Sequence, residues 1–187
     1  MKKKLLIGLA VIIVAMVAFG LFGALVVSKR SPIQTTTFND RGLDIKVVYC
    51  QPYKKGRLIF GEEKDGALQP YGKYWRLGAN AVTEITFSQD VSFAGKALKA
   101  GSYRMYAVPG PASFQIALNS EVGVYFGIME PNHTLDVLSV DVPVQRALSE
   151  VEQFTITFGS DSTGVNMDMV WDKTLLTVPI ALQTEKN

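Results

Sequence analysis

Hydrophobic and polar residues alternate along most of the chain after Arg30, which is the pattern of half-buried β-strands. In LDIKVVYC, for example, Leu43, Ile45, Val47 and Tyr49 fall on one face. The same period of two predicts further strands at 82–88, 102–108, 114–118, 138–144, 154–158, 165–171 and 174–181. Stretches such as VPGPAS, GSDSTG and FAGKALKAG are typical of the turns between them. Roughly eight or nine short strands predict an all-β domain, an antiparallel β-sandwich with a jelly-roll-like path.

A different pattern occupies the N-terminus. Leu5–Val27 contains 23 residues without a charge, and basic residues flank it on both sides. A helix of that length extends roughly 34 Å, enough for a hydrocarbon core of about 30 Å. A cleaved signal peptide is the alternative, although its apolar part is usually only about 7–15 residues long. We therefore divide the chain into a basic segment with one transmembrane α-helix, residues 1–30, and a β-domain, residues 31–187.

The orientation of this span is not decided by charge alone, because lysines precede it and Lys29 and Arg30 follow it directly. A start with three lysines is typical of exported chains. We predict a single-pass protein of the bacterial inner membrane whose C-terminal domain lies in the periplasm.

The net charge of +2 hides a split between these two parts. Five of the 19 basic residues lie in the first 30 positions, which leaves 14 basic against 17 acidic residues in the domain, a net charge of −3. A nucleic-acid-binding domain would show a basic surplus. We therefore expect no nucleic-acid partner.

The residues available for catalysis or metal binding are few. Cys50 is the only cysteine, so a disulfide within the chain and a thiolate metal cluster are both excluded, and we expect a buried thiol. His133 is the only histidine, it lies in a predicted turn, and no G-x-S-x-G sequence accompanies it. A pair of carboxylates, as in glycoside hydrolysis, remains open among 17 acidic residues. We expect no cofactor.

The stretch YWRLGAN, residues 74–80, concentrates the side chains that suit ligand binding. In one interpretation Tyr71 and Trp75 form an aromatic platform while Arg76 and Asn80 hydrogen-bond a sugar or a carboxylate. In the other, Gly78 takes a backbone conformation that other residues avoid and the stretch is a structural corner, with Trp75 in the core. Nearby, Arg57 lies in YKKGRLIFGEEKDG, whose charges are typical of a solvated loop.

Three stretches together resemble one bacterial family of unknown function, the domain family numbered twenty-nine eleven. They are VVYCQPYKKGRLIFG (47–61), the long segment 68–110 with P-Y-G-x-x-W-R-x-G-A-N, and WDKTLLTVPI (171–180). The resemblance covers nearly all of residues 31–181 and implies an exported all-β domain. It implies no activity.

The chain departs from this family at several polar positions. Gln51 and Ser139 stand where relatives carry an arginine, and Ala81 stands where relatives carry an acidic residue. A tryptophan-glycine pair of the relatives is Val122-Gly123 here, whereas Arg57, Arg76 and Asn80 remain. These losses favour a domain without catalysis.

Small residues also recur along the predicted span, since Gly20, Ala24 and Ser28 are spaced by four. Such a face lets membrane helices pack closely. We therefore expect a non-catalytic accessory or stabilising subunit of an integral-membrane complex, respiratory, photosynthetic or secretory, held in the lipid bilayer by its anchor. The alternatives are a periplasmic glycan-binding module that uses Tyr71, Trp75, Arg76 and Asn80, and a hydrolase with paired carboxylates.

Overall fold

The computed structural model describes residues 8, 11–20, 31–40, 42–124, 129–160 and 164–183. Residues 11–20 are helical and exposed, Gly20 included. Across these described ranges, no helix is both long and apolar enough to cross a membrane. Much of the predicted span Leu5–Val27 lies outside the described residues, as do Ala24 and Ser28 of the predicted packing face.

The rest of the described chain is built mainly from twelve strands. They are β1 (Ile33–Asp40), β2 (Leu43–Cys50), β3 (Phe60–Gly61), β4 (Gln69–Pro70), β5 (Thr83–Phe87), β6 (Val91–Phe93), β7 (Lys96–Leu98), β8 (Gly101–Val108), β9 (Ser113–Asn119), β10 (Asp136–Pro143), β11 (Gln145–Ser160) and β12 (Val165–Leu182). Two short 3-10 turns, Glu63–Asp65 and His133–Leu135, interrupt them.

The strands form two antiparallel sheets and a short parallel pair. The larger sheet has the order β1-β2-β5-β8-β9-β10, the smaller one β11-β12-β6-β7, and β3 pairs with β4. The strands of the larger sheet lie side by side in their order along the sequence, so this sheet is a meander. That path differs from the predicted jelly roll, whose connections are Greek keys.

The buried faces of both sheets contribute to one hydrophobic core, which is the arrangement that a β-sandwich requires. Leu43, Ile45, Val47 and Tyr49 are all buried, which confirms the period of two in β2. Cys50 is buried as expected, and burial raises the pKa of its thiol.

Strand β12 differs from the prediction of two separate strands at 165–171 and 174–181. The buried positions are odd-numbered up to Trp171 and even-numbered from Leu176 onward. The change coincides with Asp172, whose φ of 55° places it in the left-handed region, and with a shift in the pairing register with β11. A bulge of this kind moves the following side chains to the other face without ending the strand.

Strands β1, β3, β4, β6 and β7 are not among the predicted strands, and for two of these regions the reason is clear. The stretch FAGKALKAG is more than a turn, because Ala94 and Gly95, both with positive φ, form the tip of the short β6–β7 hairpin. Strand β1 is mostly exposed and therefore carries little apolar alternation.

Candidate functional site

The stretch at residues 74–80 forms a corner between a β-bridge and strand β5. Trp75 pairs with Ala107 through two backbone hydrogen bonds of 2.7 and 2.8 Å. After it, Leu77, Gly78 and Asn80 all have positive φ, and the hydroxyl of Thr83 donates to the carbonyl oxygen of Leu77. Three left-handed residues so close together reverse the chain tightly.

Trp75 belongs to the core of this corner. Its side chain is 3% exposed, and its indole Nε1 donates to the carbonyl oxygen of Gly78 at 3.3 Å. The ring packs against Phe154 with centroids 5.0 Å apart, against Phe60 at 5.2 Å and against Trp171 at 6.0 Å. Because neither face of the ring reaches solvent, the predicted aromatic platform is wrong.

A cleft of about 720 Å³ opens beside the corner. Its lining comes from five parts of the chain: the start of the domain, the loop after β2, the beginning of β4, the corner, and β12. The lining residues are Ser31, Pro52, Tyr53, Lys55, Arg57, Leu68, Gln69, Arg76, Gly78, Ala79, Asn80 and Trp171. The structure thus brings together Arg57, Arg76 and Asn80, whereas Tyr71 and Trp75 are not among the lining residues.

The charge of this cleft is positive. Lys55 and Arg57 are exposed and Arg76 is half-buried, and the lining includes no carboxylate. The Arg57 guanidinium donates to the carbonyl oxygens of Lys54 and Tyr53, and Arg76 Nη1 donates to that of Asn80 at 3.2 Å. Within the described part of the chain, none of the three cations forms an ion pair, so their charge is available to a ligand.

The neighbouring Lys54 differs from these three cations because it forms ion pairs. Its Nζ lies 2.7 Å from Asp172 and 2.6 Å from Glu150. Hydrogen bonds to these two carboxylates, first to Asp172, raise the pKa of Lys54. Glu152 is also close, but its carboxylate accepts the backbone N–H of Lys55 at 2.8 Å. The carboxylates of this region therefore pair with Lys54 or accept a hydrogen bond from the loop backbone.

The loop that carries Tyr53, Lys55 and Arg57 is held by strand β11. Tyr53 forms a bridge with Gln153, and the backbone N–H of Lys54 donates to the carbonyl oxygen of Glu152 at 2.6 Å. The side-chain amide of Gln153 also donates to the carbonyl oxygen of Gln51 at 3.1 Å. These contacts position the loop at the cleft.

The sequence alone does not indicate the cleft residues Tyr53, Lys55, Gln69 and Trp171. Apart from Tyr53 and Lys55 they lie far apart in the chain, and the four share no motif. The interpretation of YKKGRLIFGEEKDG as uniformly solvated charges holds for its acidic half, since Glu62, Glu63 and Asp65 are exposed and do not line the cleft. Lys55 and Arg57 are exposed as well, but unlike the acidic residues they line the cleft.

A comparison with protein-family profiles finds the family described as "Protein of unknown function (DUF2911)" over residues 31–180. The chain belongs to the DUF2911 family. The resemblance expected from the sequence is thereby confirmed. Neither a search of the curated proteins nor a search of the solved structures found a significant match.

The DUF2911 domain carries a second polar cluster, on the face of the larger sheet opposite the core. Arg104 is 1% exposed; its guanidinium donates to Glu121, to the hydroxyl of Tyr74 and to the carbonyl oxygen of Met129, each at 2.8 Å. Tyr103 and Met105, on either side of it in β8, point into the core. Arg104 thus fastens the β9–β10 connection to the sheet.

His133 joins this second cluster. Its Nδ1 lies 2.8 Å from the hydroxyl of Tyr106, which donates to Asp136 at 2.6 Å, and its Nε2 lies 3.2 Å from Glu130. Hydrogen bonds to Glu130 and then to Asp136 raise the pKa of His133, while burial and the bond to Asp136 raise the pKa of Tyr106. The predicted turn is present, and its histidine is half-exposed yet well connected.

We expect Arg104→Ala to lower the free energy of unfolding by about 2 kcal/mol, because it leaves Tyr74, Glu121 and the Met129 carbonyl without their donor. The partial exposure of Glu121, 37% of its side chain, keeps the loss below that of a fully buried pair. Urea unfolding of the full chain in mild detergent measures it. Lys96→Ala, which removes one exposed hydrogen bond to a backbone carbonyl of the same sheet, is the control and should change little. Equal losses in both variants would contradict the anchoring role of Arg104.

Proposed function

We propose that this DUF2911 chain is a non-catalytic binding module for small anionic ligands and that the cleft beside residues 74–80 is its site. The observation that carries the proposal is the convergence of Lys55, Arg57 and Arg76 on one cleft without an ion-pair partner in the described residues. The domain as a whole is acidic, with a net charge of −3, so the positive cleft runs against its average. Such local fields attract anions.

The side chains suit this role chemically. A guanidinium presents a planar fork of donors that matches a carboxylate or a phosphate, and an ammonium adds a point charge. The Asn80 and Gln69 amides both donate and accept. The volume of about 720 Å³ lies within the range of about 300–1,000 Å³ typical of small-molecule sites. The hydrolase alternative needs two facing carboxylates, and the lining residues of this cleft offer none.

The membrane setting is part of the proposal. Leu5–Val27 would anchor an antiparallel β-sandwich on the periplasmic side of the bacterial inner membrane, where the cleft would meet ligands outside the cytoplasm. The support for this setting is the uncharged run of 23 residues with its basic flanks.

Direct binding tests the proposal. Isothermal titration of the full chain in mild detergent should detect at least one of citrate, inorganic phosphate and glucuronate at low ionic strength. We expect the double variant Arg57→Ala/Arg76→Ala to weaken that binding at least tenfold, because two charge-assisted hydrogen-bonding groups are lost.

The matched control is Lys64→Ala/Lys173→Ala, which removes the same charge from exposed positions that do not line the cleft. This double variant should bind like the unchanged protein. Binding of none of the three anions would contradict the proposal, and so would an equal loss in both double variants, which would indicate general charge attraction.

We also propose that the domain serves as an accessory or stabilising subunit of a respiratory, photosynthetic or secretory membrane complex. Exposed apolar side chains favour a partner surface: Val122 and Met129 lie on the β9–β10 connection, with Leu135 and Val137 at its end. Purification from native membranes in mild detergent should yield a defined set of integral-membrane partners. Recovery of the chain alone would contradict this second proposal. It would have no bearing on the proposal that the cleft binds anions.

A further inference from the structure

A tryptophan that lines the cleft has an indole N–H without an acceptor among the described residues. Trp171 lines the cleft yet is 1% exposed, and its Nε1 is buried with no hydrogen-bond partner among the described residues. The indole of Trp75, stacked on it at 6.0 Å, differs because its Nε1 donates to the carbonyl oxygen of Gly78. Two tryptophans of the same aromatic cluster therefore have different hydrogen-bonding states.

An unpaired buried donor is costly. Such a group loses the hydrogen bond that it makes with water in the unfolded chain, and buried tryptophans usually find an acceptor. Because Trp171 forms part of the cleft wall, an oxygen atom of a bound ligand is the acceptor that the described fold lacks. A ligand that supplies this oxygen gains more from the contact than it would from a donor already paired.

The lining residues change in character with burial. Lys55 and Arg57 are exposed, the amides of Gln69 and Asn80 are half-buried, and the Trp171 N–H is fully buried. Pro52, Leu68 and Ala79 add apolar surface between them. A matching ligand has negative groups toward solvent, neutral groups that both donate and accept in the middle, and an acceptor oxygen at depth.

We infer that the ligand is an acidic saccharide, a short chain of sugars that carry carboxylates. The carboxylates pair with Lys55, Arg57 and Arg76, hydroxyl groups exchange hydrogen bonds with the amides of Gln69 and Asn80, and a sugar oxygen accepts from Trp171 Nε1. An ionised phosphate or a simple polycarboxylate offers acceptors alone and leaves the amide oxygens without donors. This inference rests on the proposed anion-binding function and adds the class of ligand.

Titration of the full chain in mild detergent with trigalacturonate tests the inference. We expect binding that falls at least tenfold when the same trisaccharide is fully methyl-esterified, because esterification removes the charges and keeps the sugar rings. Trp171→Phe, which keeps the ring and removes the N–H, should weaken trigalacturonate binding roughly fivefold or more. The matched control is Tyr103→Phe, which likewise keeps an aromatic ring and removes one donor, the hydroxyl that bonds the carbonyl oxygen of Lys99 away from the cleft, and it should leave the affinity unchanged.

The possible results separate the inference from the function on which it rests. If citrate or phosphate binds in a manner that depends on Arg57 and Arg76 while trigalacturonate does not bind, the saccharide inference is overturned and the anion-binding proposal stands. If none of these anions binds, both fail. Equal binding of the acid and its ester overturns the role of the carboxylates. Undiminished binding by a folded Trp171→Phe variant overturns the role of the indole. If that variant does not fold, the comparison of acid and ester still decides the ligand class.

Discussion

Trp75→Ala is expected to lower the free energy of unfolding by about 4 kcal/mol, the largest single effect that we predict. The ring is enclosed by Phe60, Phe154 and Trp171, and its removal leaves a cavity between the two sheets that rigid aromatic neighbours cannot fill. The variant also loses the donor to the carbonyl oxygen of Gly78. Urea unfolding followed by circular dichroism measures the change, because the substitution removes one of only two tryptophan fluorophores.

Trp75→Phe provides the comparison for this variant. It keeps an aromatic ring in the cluster and should cost about 1.5 kcal/mol, through a smaller cavity and one lost hydrogen bond. A Trp75→Ala protein as stable as the unchanged one would mean that the ring is not part of the core, and the platform interpretation of residues 74–80 would then return.

Gly78→Ala is expected to destabilise the domain by about 3 kcal/mol. The φ of 147° lies where side chains are strained, and a Cβ at this position would sit 2.7 Å from the backbone carbonyl oxygen of Cys50. Since that oxygen belongs to strand β2, relief requires the corner to move away from the sheet. Because Gly78 also lines the cleft, anion binding should weaken along with stability.

Gly72→Ala is the control for the backbone effect. Gly72 also has a positive φ, 73°, but a Cβ there meets nothing within 4 Å. We expect a cost of about 1 kcal/mol from the backbone conformation alone. A larger cost for Gly78→Ala reports the clash with Cys50 together with the different φ of 147°, and equal costs would show that the close approach is relieved at no expense.

The two interpretations of residues 74–80 each account for part of the stretch. Trp75 and Gly78 build the corner, as the structural interpretation predicts. Arg76 and Asn80 lie at the cleft, as the binding interpretation requires. Trp75 and Leu77 belong to the core whereas Arg76, Ala79 and Asn80 line the cleft, so one short sequence serves both.

The sequence predicts strands best where one face is buried and the other is wet. Strand β2 is an example, because Leu43, Ile45, Val47 and Tyr49 alternate with less buried positions. The change of face in β12 is not predictable in this way, because it depends on a left-handed backbone at Asp172. The presence of an aspartate does not by itself indicate that conformation.

The cleft is predictable only in part. Arg57, Arg76 and Asn80 stand out because they are polar residues that this chain has in common with the family. Lys55 and Trp171 do not stand out, because they meet only after β11 and β12 have folded against the loop that follows β2. A single sequence does not show which residues distant in the chain come into contact.

The contacts between strand β11 and the loop that follows β2 have a consequence for the order of folding. The larger sheet joins strands close in sequence, whereas Lys54 reaches Glu150 across 96 residues and Asp172 across 118. Contacts that close such long loops form late, because the entropy of closure is lost before they are made. A chain still emerging from the ribosome would therefore hold a nearly complete larger sheet without the cleft. Ligand binding would therefore detect only those molecules in which the β11–β12 hairpin has packed against the loop that follows β2.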